Sequence, residues 1–159
     1  MAGVKMTKIK KAKPETLVIG WMEYLDLPDL GIRQIKAKID TGARTSALHA
    51  ARIETFVRDD EDWVRFQVQA DEHKPELWAE ARIQDRRKIK NTSGIPEERI
   101  VIRTRLKLID RSWNISVSLT DRSNMRFAMI VGRTALKNHN IAVHARRANL
   151  ISVKGQKCP

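Results

Sequence analysis

The chain is poor in several things, and each shortage removes a class of explanation. Its 159 residues include one cysteine, Cys158. A single thiol beside the C-terminus makes no internal disulfide and offers no catalytic nucleophile, and it points to a reducing compartment, the cytoplasm. No apolar run approaches the roughly 20 residues needed to span a bilayer, and the N-terminus lacks the apolar stretch of a secretory signal, so no membrane is expected. His-Glu-x-x-His is missing, and His139 and His144 have no Cys or third His nearby, which excludes a zincin helix and leaves no expected metal ligand. There is also no Gly-x-x-x-x-Gly-Lys-Ser/Thr loop to hold nucleotide phosphates, so no cofactor is expected. Glycine and proline are scarce at 7 and 5, while short runs of alternating apolar residues recur. Together these read as a mostly β domain of ordinary size.

Positive charge is plentiful. Lysine and arginine number 31 against 19 acidic residues, a net charge of +12 that attracts polyanions of any kind. Lys5, Lys8, Lys10, Lys11 and Lys13 make residues 1–14 a basic arm, expected to be disordered and solvated. Arg86, Arg87, Lys88 and Lys90 form a second cluster. Arg103, Arg105 and Lys107 form a third, alternating with Ile102, Thr104, Leu106 and Leu108 as on the solvated face of a strand.

The same periodicity predicts strands at 17–24, 35–39, 46–53, 63–68 and 78–83, then a hairpin of 99–108 with 113–119 across residues 109–112. Strands at 127–131, 141–143 and 150–153 follow, with a short helix at 133–137 between the first two. Trp21, Trp63, Trp78 and Trp113 sit in apolar contexts and are expected in the core. One domain, 15–154, is expected between the basic arm and a tail at 155–159.

Chemistry concentrates where Ile35, Ala37 and Ile39, alternating with Lys36 and Lys38, run into Asp40-Thr41-Gly42-Ala43. A carboxylate leaving a strand there meets a ligand, while Gly42 permits a tight turn and close approach of another chain. A second apolar strand, Met129-Ile130-Val131, ends in Gly132-Arg133-Thr134-Ala135-Leu136. The two segments resemble the retropepsin-like aspartic peptidases. A wider match through Lys38–Ala50, Lys90–Gly94, Asp121-Arg122 and Gly132–Leu136 resembles a bacterial branch that includes the RimB proteins and is often labelled "ATP-dependent zinc protease". The resemblance covers residues 16–153, and the residues support neither the zinc nor the ATP of that label.

The resemblance implies a closed retropepsin-like (acid protease) β-barrel with one short C-terminal helix. It implies catalysis by Asp40, Thr41 and Gly42, and peptide contact by Ala43, Arg44 and Arg133. It also implies a flap from Lys88 through Lys90, Asn91, Thr92, Ser93 and Gly94. One Asp-Thr-Gly per chain leaves a homodimer as the source of a second carboxylate. Arg44 stands where many retropepsins have an acidic residue that pairs with the Gly-Arg arginine, so an Asp–Arg brace is not available. Arg44 and Arg133 then either lie by the dyad or turn outward toward an acidic substrate. RimB-like relatives are linked to RimK-type glutamate ligases, which implies control of glutamylated ribosomal protein tails. Three readings stand: a dimeric aspartic endopeptidase acting on acidic tails, a catalytically weak peptide-binding regulator of a ligase system, and an RNA- or ribosome-binding barrel.

Overall fold

Apolar and polar side chains alternate through almost every segment, and the chain answers with strands. The computed structural model describes residues 15–90, 93–121 and 126–152, without the side chains of Ile89 and Lys90. The basic arm, Asn91 and Thr92 of the expected flap, Arg122 and the tail at 155–159 lie outside the described residues.

In chain order the elements are β1 (Leu17–Gly20), β2 (Met22–Leu27), β3 (Ile32–Ile39), β4 (Ser46–His49), β5 (Ala51–Arg58) and β6 (Glu61–Val68). They continue as β7 (Leu77–Lys90), β8 (Pro96–Leu108), β9 (Arg111–Thr120), β10 (Met129–Val131), the single helical turn α1 (Arg133–Leu136) and β11 (Ile141–His144). Six strands in the order β2-β3-β10-β4-β9-β8 close into a barrel through the pairing of Asp26 with Lys107. Beyond β8 the sheet continues through β7, β6 and β5, while β1 and β11 form a separate parallel pair.

Alternate residues fill the barrel, as period-two patterning requires. Ile35 and Ala37 of β3, Leu48 of β4, Val117 of β9, and Met129 and Val131 of β10 are fully buried together. On β8, Ile102, Thr104, Leu106 and Leu108 point inward while Arg103 and Arg105 stay exposed, which is the solvated face expected of that strand.

Some strands differ from expectation, and in one case a polar group explains it. The expected strand 17–24 is broken at Trp21, whose N–H donates to the Arg147 carbonyl. Two residues on, Glu23 is wholly buried. Its carboxylate accepts from Gly20 N–H at 2.6 Å, Leu150 N–H at 2.9 Å, Ile151 N–H at 3.4 Å and the Ser152 hydroxyl at 2.6 Å. A buried carboxylate survives only with such a set of donors. The cost falls on the expected strand 150–153, whose described residues, 150–152, wrap the carboxylate and join no ladder. Glu23→Ala should lower unfolding stability by about 3 kcal/mol, since it strands several buried donors at once. A denaturant midpoint equal to wild type would rule that out.

The expected strand 46–53 divides at Ala50, where β4 leaves for β9 and β10 and the next residues turn to β6 through a bulge at Arg52, φ 51°. The hairpin loop expected at 109–112 tightens to Ile109-Asp110, because Arg111 and Ser112 pair into β9 opposite Leu108 and Lys107.

The tryptophans are not core residues. Val64, Phe66 and Val68 take the inward side of β6, and alternation throws Trp63 to the other face. There Trp63 stacks on Phe56 at 6.4 Å beneath the Arg58 guanidinium, and Trp78, 41% exposed, is covered by Arg65 at 4.1 Å. Trp21 and Trp113 are half-buried at the margin, Trp113 donating its indole N–H to the Ala135 carbonyl at 2.7 Å.

Candidate active site

Strand order places the candidate residues. β10 lies between β3, to which it is parallel, and β4, to which it is antiparallel, with Val131 opposite Ile39. The two parallel strands therefore release Asp40 and Gly132 at the same end of the barrel. Asp40 N–H donates to the Val131 carbonyl at 2.9 Å and ties the two exits together.

The turn then folds onto its own carboxylate. Asp40 Oδ1 accepts from Gly42 N–H at 3.0 Å and Ala43 N–H at 3.2 Å, which fixes the side chain on a half-exposed turn. Thr41 and Gly42 are exposed.

Arg133 braces this turn from outside. Its Nη1 donates to the Thr41 carbonyl at 2.9 Å and the Gly42 carbonyl at 3.1 Å, while its N–H donates to the Ala43 carbonyl at 2.8 Å. Charge-assisted bonds of this kind are about twice as strong as neutral ones. A brace therefore exists without an acidic residue at position 44, because the arginine grips main chain. The Thr134 N–H and hydroxyl both donate to the Arg44 carbonyl, at 3.1 and 2.8 Å. Close approach makes this lattice possible: a Cβ on Gly132 would stand 2.5 Å from the Thr45 carbonyl oxygen. Buried Ser46, unremarked in the sequence, receives Gly132 N–H on its hydroxyl at 3.0 Å. A lone serine on a strand gives no signal that could have marked it.

Of the expected flap, Lys88 and Lys90 lie at the end of β7, with Lys88 opposite Glu98 and Lys90 opposite Pro96, and Ser93 and Gly94, the latter at φ 76°, lead into β8. Part of the charge there is met within the hairpin, where Arg86 pairs with Glu98 at 2.9 Å and Arg87 with Asp85 at 3.0 Å. Nearer the turn lie three cavities. One of about 440 Å³ lies between the turn and the hairpin, reached by Arg44, Arg87 and Arg99. Another of about 320 Å³ is walled by Trp21, Phe127 and Ile130 and rimmed by Lys38 and Arg126. The third, about 680 Å³, runs past Thr41, Arg44, Arg133 and Lys137. No described residue lining any of them is acidic.

The histidines have structural partners. His49 Nδ1 lies 3.2 Å from the Thr120 carbonyl, and His144 Nδ1 accepts from Arg146 and Arg147 N–H at 3.1 Å. His139 stacks on Trp113 at 4.2 Å, and burial, then the Arg111 charge, holds its pKa below the ordinary 6.5. The unfolded chain thus takes up this proton at a higher pH than the folded one. The stabilising contribution is complete above 6.5 and is lost as pH falls from there through the folded value. NMR titration should place the His139 midpoint below 6.5, and Trp113→Ala should move it upward; a midpoint at or above 6.5 would contradict the packing described. Among the described residues, the one His and carboxylate group close enough to share a cation is the consecutive Asp71, Glu72 and His73. It belongs to a turn tied to β3 by Lys74, whose Nζ donates to the Arg33 and Gln34 carbonyls.

Residues 18–154 match the family described as RimB-like, retropepsin-like aspartic endopeptidase RimB. The chain is 43% identical over 126 residues to a probable alpha-L-glutamate ligase of Desulfotalea psychrophila, covering 78% of this chain and 27% of that protein. It is 40% identical over 122 residues to one of Parasynechococcus marenigrum, covering 76% and 26%. The chain thus spans about a quarter of the length of the curated relatives it matches. A crystal structure of a Legionella pneumophila protein of unknown function superimposes with a TM-score of 0.70 at 26% identity, over 83% of this chain and 95% of that one.

Proposed function

Because the chain belongs to the RimB-like family of retropepsin-like aspartic endopeptidases, we propose that two copies pair about a two-fold axis, each giving Asp40 to one dyad that hydrolyses peptide bonds in acidic, glutamate-rich protein tails. The carrying observation is the Asp40 turn. Its carboxylate is fixed through one oxygen by two amides of its own loop, and Arg133 stiffens that loop through the Thr41 and Gly42 carbonyls. Such rigidity suits a group that must meet its twin at short range.

Two carboxylates that close cannot both ionise, so they share a proton. The ionised one takes a proton from a water that attacks the scissile carbonyl, while the protonated one supplies a proton to the carbonyl oxygen. Collapse of the tetrahedral intermediate returns the shared proton and releases an amine and an acid. Preference for acidic substrates is supported by the cationic linings of the cavities around the turn. The test is incubation of a glutamate-rich peptide with purified protein, read by mass spectrometry across a dilution series. Specific activity should fall as the dimer dissociates, and zinc chelators should leave it unchanged. Sustained cleavage by a species that sediments as a monomer would refute the shared dyad.

One observation favours a second reading, a peptide-binding regulator of a RimK-type ligase. The curated relatives carry a ligase name, and this unit is about a quarter of their length. On that reading the peptide binds and is not cut. The RNA- or ribosome-binding reading has weaker support, because half-buried Trp63 and exposed Trp78 are already covered by Arg58 and Arg65. Among the described residues no helix is long and apolar enough to cross a membrane.

A further inference from the structure

We propose that the cavity between the Asp40 turn and the β7–β8 hairpin is a carboxylate subsite in which Arg44, Arg87 and Arg99 hold a carboxylate of the bound peptide, an inference that rests on the peptide-substrate reading above. The group held is a glutamate side chain or the peptide's own C-terminus.

The sheet builds the cavity from the face it turns away from the core. Ile100 and Ile102 face the barrel, so Arg99 and Val101 face outward, Val101 opposite Ser118 on β9. On the other side of β8, Arg87 stands directly opposite Arg99. Two like charges facing each other on a ladder repel unless an anion lies between them. Asp85 engages Arg87 Nε at 3.0 Å and offsets one charge of the three. Nothing comparable meets the others: Arg44 has no acidic partner among the described residues, and the buried Nε of Arg99 has no acceptor. A buried donor left unpaired costs about 1–3 kcal/mol. An acidic ligand in the cavity would offset the charge of the guanidiniums that line it.

The remaining walls set what kind of anion fits. The Ser116 hydroxyl donates to Gln84 Oε1 at 2.8 Å, that of Ser118 to the Ser46 carbonyl at 3.2 Å, and that of Thr134 to the Arg44 carbonyl at 2.8 Å. The guanidiniums are the charged donors of the lining, and their planar forks match the two oxygens of a carboxylate. Val101, 3% exposed, gives the cavity an apolar patch on which side-chain methylenes rest. The volume, about 440 Å³, admits a whole residue and not just the charged group. Arg44 also reaches the larger cavity beside Thr41 and Arg133, so a peptide running from the subsite toward the turn passes the same guanidinium.

The experiment uses the full chain as Asp40→Asn, so that turnover does not obscure binding, and reads fluorescence anisotropy of a labelled pentaglutamate peptide, its C-terminal amide and a pentaglutamine peptide. Arg99→Gln and Arg44→Gln should each weaken pentaglutamate binding about tenfold and leave pentaglutamine binding unchanged, whereas Arg105→Gln, on the same face of β8 away from the cavity, should change neither. Weaker binding of the amide identifies the C-terminal carboxylate as the group held, and equal binding identifies a side chain. Thermal melts separate loss of binding from loss of fold, and Arg44 on its exposed turn serves if Arg99→Gln unfolds. The proposal fails if folded protein does not bind pentaglutamate, if the three arginine variants behave alike, or if Arg99→Gln weakens a single-stranded oligonucleotide more than the peptide. Binding that depends on Arg99 without cleavage by wild type would keep the subsite and remove the peptidase. Cleavage indifferent to Arg99 would do the reverse.

Discussion

Asp40→Asn should leave the barrel folded and paired while lowering peptide cleavage about a thousandfold or more. The substitution keeps an oxygen where Oδ1 accepts from Gly42 and Ala43 N–H, so the turn retains both bonds. It removes the exchange of one proton between paired carboxylates, and general acid–base steps of this kind contribute roughly 10² to 10⁴. Sedimentation and melting temperature should match wild type, with the loss confined to turnover. On the shared-dyad reading, mixed dimers with one intact Asp40 should be as inactive as the double variant, because each reaction would draw on both subunits. Equal turnover by the variant would remove the aspartic mechanism from consideration.

Gly132→Ala should be the most damaging single methyl in the region. Gly132 has φ −89°, so backbone conformation does not demand glycine there. Space does: the new Cβ would meet the Thr45 carbonyl oxygen at 2.5 Å and carbon at 2.6 Å, atoms of main chain that cannot swing aside. Relief pushes β10 from the loop before β4, and this strains the bond from Gly132 N–H to Ser46 and the hold of Arg133 on Thr41 and Gly42. Overpacking of this severity costs about 3 kcal/mol, and activity should fall more than tenfold even where the protein is folded. Gly94→Ala, at φ 76° with open space around it, should cost only about 1 kcal/mol. If both variants show the same denaturant midpoint, the Gly132 contact is looser than described.

Much of the barrel was legible because alternation reports burial directly. Residues 35–39 of β3 and 102–108 of β8 could be read one by one, since one face is apolar and the other carries Lys or Arg, while 32–34 and 96–98, which extend the two strands, lack that alternation. The place of Asp40 was legible for a related reason: alternation ends at Ile39, and Asp40-Thr41-Gly42 reads as the turn that follows. Alternation fails when apolar residues occupy both faces, and the tryptophans were misplaced on that account. It is also silent on partners. That Glu23 would turn inward and gather the amides of Leu150 and Ile151 and the hydroxyl of Ser152 depends on segments more than a hundred positions away. The arginines show the same limit. Position 44 was read as a missing brace, yet the brace is built by Arg133 on carbonyls that every sequence has. Arg99 looked like one basic residue among many until β7 set Arg87 opposite it.

The grip of Arg133 on Thr41 spans 92 positions of chain. Contacts so far apart in sequence close late, because a long loop must be ordered before they reward it. A chain emerging during synthesis exposes Asp40 long before Arg133 exists, and its carboxylate then sits on an unsupported loop. Completion of β10 sets the turn, and on the shared-dyad reading only a second finished copy supplies the other half of the dyad. On the peptidase reading, hydrolytic power appears at the last step of assembly, and neither nascent nor half-folded copies endanger the proteins around them.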